Sequence, residues 1–330
     1  MGLEARATVR DLTDLLKDEN GQVRQVDMWA LGRMGPEARA AVPALTELLK
    51  DGNSLVGEAA AEALGKIGPG AKAAIPALTG LLKKDGHLRA NAAWALGKIG
   101  PEARVAVPIL TELLRDESES VREAAAGALG RIGPDARGAV PALTELLTDS
   151  RSWVIRHIAA EAIGKISPPG AAAFTRLLKD ETWRNRRTAA TALGKMGREA
   201  RASIPALTES LKDEAEAVGC AAAQALGQMG PDAGTAVPAL VELLRDKRWP
   251  TREAAASALG NIGPEAESAV PALTGLLKDK DWQVRRALAS ALGRVGPKAD
   301  IAAHALRELL NDEDDRVRQA ARSALGRAKE

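Results

Sequence analysis

Apolar residues recur along this chain at a helical spacing, and the stretch that carries them recurs in turn. In ESVREAAAGALGRI (119–132), Val121, Ala125, Leu129 and Ile132 share one side of a helix. With Glu119 as position 1, positions 3, 7, 11 and 14 centre at about 235° when each residue advances roughly 100°. Positions 1, 2, 5 and 9 centre at about 55°, on the opposite side. A shorter element precedes each such helix. PEARAAVPALTELLKD (36–51) predicts a helix whose first turn accepts Pro36 and whose path kinks, or starts again after a short turn, at Pro43. After the next helix, SLVGEAAAEALGKI (54–67), Gly68 suits a left-handed cap and Pro69 opens another unit.

The unit repeats through the whole sequence. ALGRMGP ends at Pro36, ALGKIGP at Pro69 and Pro101, ALGRIGP at Pro134 and ALGNIGP at Pro264. The first glycine of this motif stands at Gly32, Gly65, Gly97, Gly130, Gly164, Gly194, Gly227, Gly260, Gly293 and Gly326, mostly 33 residues apart, with steps of 32, 34 and 30 among them. One helix pair buries little apolar surface alone, and stacked pairs make a continuous core.

The pattern P-A-L-x-x-L-L-x-D-x-x-x-x-V-R-x-x-A-x-x-A-L-G-x-I-G resembles HEAT repeats, especially the short subtype named after phycobilisome lyases. The internal Pro, the turn Asp and the Val-Arg that opens the second helix all match. Asp and Arg stand six apart in Asp18/Arg24, Asp116/Arg122, Asp180/Arg186, Asp246/Arg252, Asp279/Arg285 and Asp312/Arg318. The resemblance implies a charged, hydrogen-bonded ladder between neighbouring repeats, and so a structural role. Gly57 and Gly219 replace the ladder Arg, and indels shift it at Asp85/Arg89 and Asp149/Arg156. The expected fold is all-α: a right-handed α-solenoid, or superhelix, of ten two-helix repeats of 33 residues or so, forming one domain over 1–330. The repeats end near Gly35, Gly68, Gly100, Gly133, Ser167, Gly197, Gly230, Gly263, Gly296 and Glu330. Asp11 and Arg322 occupy slots that are Ala44 or Ala77, and Ala61, Ala93, Ala126 or Ala256, elsewhere, so both ends read as polar caps.

The resemblance implies that second helices line the concave surface, which places the variable positions 1, 2, 5 and 9 on its wall. All six tryptophans lie there: Trp153, Trp183, Trp249 and Trp282 at position 1, Trp29 and Trp94 at position 9. Arg184, Arg187 and Arg286 lie among them. Trp and Arg are the residues most enriched at interface hot spots. The candidate partner-binding set is therefore these nine residues with His157 and Glu161, which follow Trp153 at spacings of four. The same four positions carry Arg184, Arg187, Arg286 and Arg316 against Glu58, Glu62, Glu119, Glu123, Glu161, Glu216, Glu253 and Asp315. A net acidic wall argues against a phosphate-binding groove and for a protein or peptide partner, basic or mixed in charge.

Composition changes this picture little. The chain has 330 residues, one Phe, no Tyr and a net charge of +2, so nothing in bulk directs it to nucleic acid or membrane. No apolar run reaches membrane-spanning length, and the start, MGLEARATVR, carries no signal core, so a monomer in the cytoplasm is expected. A single Cys220 excludes an internal disulfide framework and a multi-cysteine metal site. The histidines His87, His157 and His304 are far apart in sequence and no catalytic motif occurs, so no enzyme activity, cofactor or metal is expected. HEAT-like bilin lyases and DNA glycosylases keep a catalytic alternative open. Artificial repeat binders, which the chain also resembles, keep a second one open, although its unequal repeats and lack of Tyr differ from such libraries. The stretch SWVIRHIAAEAIGKIS (152–167) lies between the only two adjacent length irregularities, which marks a change of stacking or curvature and a first place to look for a central contact.

Overall fold

In a computed structural model, residues 3–83, 88–149, 152–166, 169–296 and 300–327 are described, and among them there is no strand. Helices come in pairs, one pair per repeat. The first compact unit, Met1–Gly170, contains α1 (Leu3–Leu15), α2 (Gly21–Met34), α3 (Val42–Leu48), α4 (Ser54–Ile67), α5 (Ile75–Leu81), α6 (Leu88–Ile99), α7 (Val107–Glu112), α8 (Glu119–Ile132), α9 (Val140–Asp149) and α10 (Trp153–Lys165). The second, Ala171–Glu330, continues with α11 (Pro169–Leu177), which starts at the boundary, then α12 (Trp183–Met196), α13 (Ile204–Ser210), α14 (Glu216–Met229), α15 (Val237–Leu243), α16 (Trp249–Ile262), α17 (Val270–Gly275), α18 (Trp282–Val295), α19 (Asp300–Glu308) and α20 (Asp315–Arg327). The boundary, between Gly170 and Ala171, falls just after the stretch 152–167 singled out from repeat lengths. Within each unit the even-numbered second helices stack one on the next.

Local chemistry sets the helix ends. Asn20 and Asn53 cap α2 and α4, each side-chain oxygen accepting a backbone N–H two residues on at 2.9 and 3.0 Å. Past the second helices, Gly68 and its equivalents hold φ between 57° and 111°, a region that favours glycine. The kink expected at Pro43 is present. A 3₁₀ turn (Gly35–Ala41) precedes α3, and Pro43 sits in the first turn of that helix, where its missing N–H is not needed. The sixth repeat lacks the internal Pro, and α11 is one α-helix, with the sole phenylalanine, Phe174, fully buried in it.

Positions 3, 7, 11 and 14 form the core. Val121, Ala125, Leu129 and Ile132 are all buried, as are Ala61, Ala93, Ala126 and Ala256. The capping slots Asp11 and Arg322 are exposed. Stacking is close because the first motif glycine faces an alanine of the next second helix. A Cβ placed on Gly97 or Gly130 would lie 2.7 Å from the Cα of Ala128 or Ala162.

The expected Asp–Arg ladder between neighbouring repeats is present. The arginine does not pair with the carboxylate six residues earlier. Arg252 Nη1 donates to the backbone carbonyl of Asp246 at 2.9 Å, while its Nε and Nη2 reach the Asp279 carboxylate of the next repeat at 2.7 and 2.8 Å. Arg186 meets Asp213 and Arg285 meets Asp312 in the same way, while Arg24 meets Asp51 and Arg89 meets Asp116 through a single N–H each. Each acceptor Asp, through its other role, also accepts an N–H of its own turn, as Asp279 does from Asp281. Burial alone would raise the Asp213, Asp279 and Asp312 carboxyls, but these hydrogen bonds outweigh it and hold all three below the ordinary range. Where Gly57 breaks the ladder, the Leu88 side chain packs 3.3 Å from the position of its absent Cβ. Asp85 lies outside the described residues.

Asn185 and Thr251 bring buried polar groups to position 3, and one core slot holds a carboxylate. Asp27 occupies position 7 of α2, is 6% exposed, and its Oδ2 has no hydrogen-bond partner. Burial, and then the nearby Asp18 charge, raise its carboxyl above 3.8. A raised carboxyl binds its proton more tightly in the folded chain. Its contribution is therefore complete below the unfolded value and is lost as pH rises through the folded one. Asp27→Ala is expected to stabilise the first repeats at neutral pH by about 1–3 kcal/mol, the range for relieving an unsatisfied buried polar group. The gain should shrink on acidification toward pH 4, as read from denaturant midpoints at several pH values.

Candidate functional site

The variable positions form one face of each stack of second helices, and a groove runs over that face in each unit. The first groove, about 550 Å³, is bordered by Trp94, Glu62, Glu123, Glu161, Arg131 and Lys165. Trp94 is half-buried because Gly65 makes room for it. A Cβ on Gly65 would fall 2.8 Å from Trp94 Cε3, so the indole sits directly against Gly65 of α4. Lys98 Nζ stands 5.4 Å from the centre of the ring. Opposite, Lys165 donates to Glu161 Oε1 at 2.6 Å, and this hydrogen bond holds the Glu161 carboxyl below its ordinary range. Glu62 and Lys66 repeat the pairing at 2.7 Å. Among the groove's border residues three carboxylates face two cations, while Ala124, Gly127 and Gly130 keep the floor low.

The second groove, about 460 Å³, crosses α16, α18 and α20 and has a different character. Arg286, Arg294 and Arg316 border it, together with Asn261, Gln319 and a row of serines. Arg316 stacks on Trp282 with its guanidinium carbon 3.3 Å from the ring centre, and Arg286 approaches the same ring at 5.6 Å. Asp314 grips Arg316 through two hydrogen bonds of 3.0 and 2.7 Å, which pull the Asp314 carboxyl down to about 2.

The remaining candidates are placed singly. Trp183 carries Arg184 and Arg187 at 4.7 and 5.4 Å from its ring centre. Trp29 is 54% exposed with Arg33 at 4.8 Å, and Trp249 is 40% exposed. His157 is exposed on the same helix as Glu161. Trp153 begins α10, and its side chain lies outside the described residues, as does His87. Cys220 is half-buried beside Thr251, and burial pushes its thiol up, away from the thiolate a nucleophile needs.

Counting only positions 1, 2, 5 and 9 left out a row. Position 13 is Arg33, Lys66, Lys98, Arg131, Lys165, Lys195, Arg294 and Arg327 in eight of the repeats, and Arg131, Lys165 and Arg294 border the grooves. This row sits in the last helical turn, where a cation is favoured by the helix dipole. It offsets the acidic residues, so the wall is mixed in charge: net acidic around the first groove and basic around the second.

Models of HEAT repeats match residues 9–87, 83–164, 140–218, 170–260 and 237–326. Among curated proteins no relative matches this sequence. A chain of a Kap95:Nup1 complex superposes on 98% of this chain with a TM-score of 0.67 at 16% identity, and importin beta, crystallised in ammonium sulfate, on 99% with a TM-score of 0.57 at 18% identity. This chain covers 51% and 46% of those two, about half of each, and the likeness establishes the fold alone. An engineered protein of known structure aligns over 98% of this chain and 99% of its own at 26% identity, with a TM-score of 0.49.

Proposed function

The chain belongs to the HEAT repeat family, and from that premise we propose that it recognises protein or peptide segments, without catalysis, on the face formed by its second helices. The observation that carries this reading is the pairing of grooves with indoles on that face: Trp94 beside the first and Trp282 beside the second, each with cations over the ring. A rigid indole with one wet face supplies a large contact area at little entropic cost, and interface hot spots concentrate such residues. The Kap95:Nup1 structure is likewise one of a protein bound to a protein. A continuous polyphosphate fits poorly, because Glu216 and Glu253 interrupt the arginines of the second unit and three carboxylates border the first groove. Among the described residues no three His, Cys, Asp or Glu side chains converge as metal ligands, and no helix is long and apolar enough to cross a membrane. We place the protein in the cytoplasm as a monomeric scaffold.

The test is affinity capture from source-cell lysate, wild type beside a Trp94→Ala, Trp282→Ala double variant, read by mass spectrometry. The double variant should retain its helicity and lose the captured proteins. An unchanged set of captured proteins would remove this face from the function.

A further inference from the structure

The second groove has a chemistry of its own. Its border residues include three guanidiniums and no carboxylate. Glu253 approaches Arg286 from outside at 3.6 Å, and Asp314 holds Arg316 from behind, so both guanidiniums are steadied while their remaining donors stay available. Arg294 is different. Its hydrogen bond is to a neutral amide, Asn261 Oδ1, at 2.5 Å, so its charge has no counter-ion there. With two of its three guanidiniums paired from outside and the third without a counter-ion, the groove itself keeps a net positive charge, which favours an anion there.

The rest of the lining is made of small and hydroxylated side chains. Position 9, which is Trp29 and Trp94 in the first and third repeats, is Ser257, Ser290 and Ser323 in the last three. These hydroxyls recur once per repeat, a step of roughly 8–10 Å for packed helices. Three residues of an extended peptide cover roughly 10 Å, at about 3.3 Å each. A peptide laid across the three helices therefore meets a hydroxyl donor or acceptor at every third residue. Ala287, Ala291 and Ala320 keep the floor open beneath it.

We infer that the groove over α16, α18 and α20 binds an extended acidic peptide, whose carboxylates are received by Arg286, Arg294 and Arg316 and whose backbone lies along the serine row. This rests on the peptide-recognition reading above and adds the charge of the segment and its place. Guanidinium forks match carboxylates through paired hydrogen bonds. Nucleic acid is disfavoured because the basic residues form one patch and do not run along the unit, where Glu216 interrupts them.

The experiment is fluorescence anisotropy with three labelled probes at one ionic strength: a twelve-residue peptide with glutamate at every third position in a Gly/Ser frame, the same peptide with glutamine, and a thymidine oligonucleotide. The wild type should bind the glutamate peptide at least about tenfold more tightly than the glutamine one, the equivalent of a single charge-assisted hydrogen bond. Arg294→Gln and Arg286→Gln should each remove most of that preference, while Lys50→Gln, exposed just after α3 in the other unit, should leave it intact. Equal binding of both peptides would overturn the charge assignment and leave peptide recognition standing. Binding of neither peptide would overturn both. Tighter binding of the oligonucleotide, falling steeply with salt, would assign the patch to nucleic acid instead.

Discussion

Arg252→Ala is expected to destabilise the chain by about 3–5 kcal/mol, the range for removing one partner of a buried ion pair. Arg252 is 6% exposed and ties three places together: the carbonyls of Asp246 and Lys247 in its own turn, the Asp279 carboxylate of the next repeat, and Asp281 beside it at 2.8 Å. Without it, Asp279 remains buried as a charge with its own turn's N–H as the one hydrogen-bond donor left to it. The sign of the pH dependence should then reverse. In the wild type Asp279 is depressed, so its stabilisation is present at neutral pH and is lost as pH falls below about 3.8, its ordinary value. In the variant, burial without a counter-ion raises the same group, and mild acid should recover part of the loss. Adding Asp279→Ala should also recover part of it. Urea denaturation followed by circular dichroism at pH 7 and pH 4.5 checks both statements.

Gly130→Ala is expected to cost about 1–3 kcal/mol, the overpacking range, although alanine is the better helix former by about 1 kcal/mol. The new methyl would fall 2.7 Å from Ala162 Cα and 2.9 Å from its Cβ, and no rotamer moves a backbone atom aside. Helices α8 and α10 must separate, and every contact between them loosens. Gly80→Ala is the matched control, since a Cβ there meets no atom within 4 Å, and it should be neutral or slightly stabilising. Thermal melts of the two variants beside wild type decide the matter. Equal melting temperatures would show that the glycine–alanine contact does not set the stacking distance.

Much of this architecture is legible in the sequence because repetition makes each rule visible many times over. The kink at Pro43, the glycine caps and the buried face at positions 3, 7, 11 and 14 each follow from local geometry. Other features depend on which residue of the next repeat comes close. The repeated Asp–Arg spacing of six implies a ladder between repeats, and the structure adds its atoms: the carboxylate partner stands 27 residues on, and the local aspartate offers its backbone carbonyl. The nest for Trp94 is made by Gly65, one of the repeated motif glycines. Position 13 lies at the margin of the variable face, yet long Arg and Lys side chains reach back over the groove from there. Asp27 stands where the apolar pattern held in most repeats and not in all.

The central claim is that recognition belongs to the second-helix face. Its most direct measurement starts from peptides selected on the wild-type protein out of a random-sequence display library. Their affinities are then measured by anisotropy for the wild type, for Trp94→Ala with Trp282→Ala, and for Glu47→Ala with Lys50→Ala, an exposed pair on and just after α3. The face variant should lose about tenfold or more in affinity, as expected for hot-spot indoles, while the α3 variant binds like wild type. Selected peptides that bind the face variant undiminished and fail on the α3 variant would contradict the account.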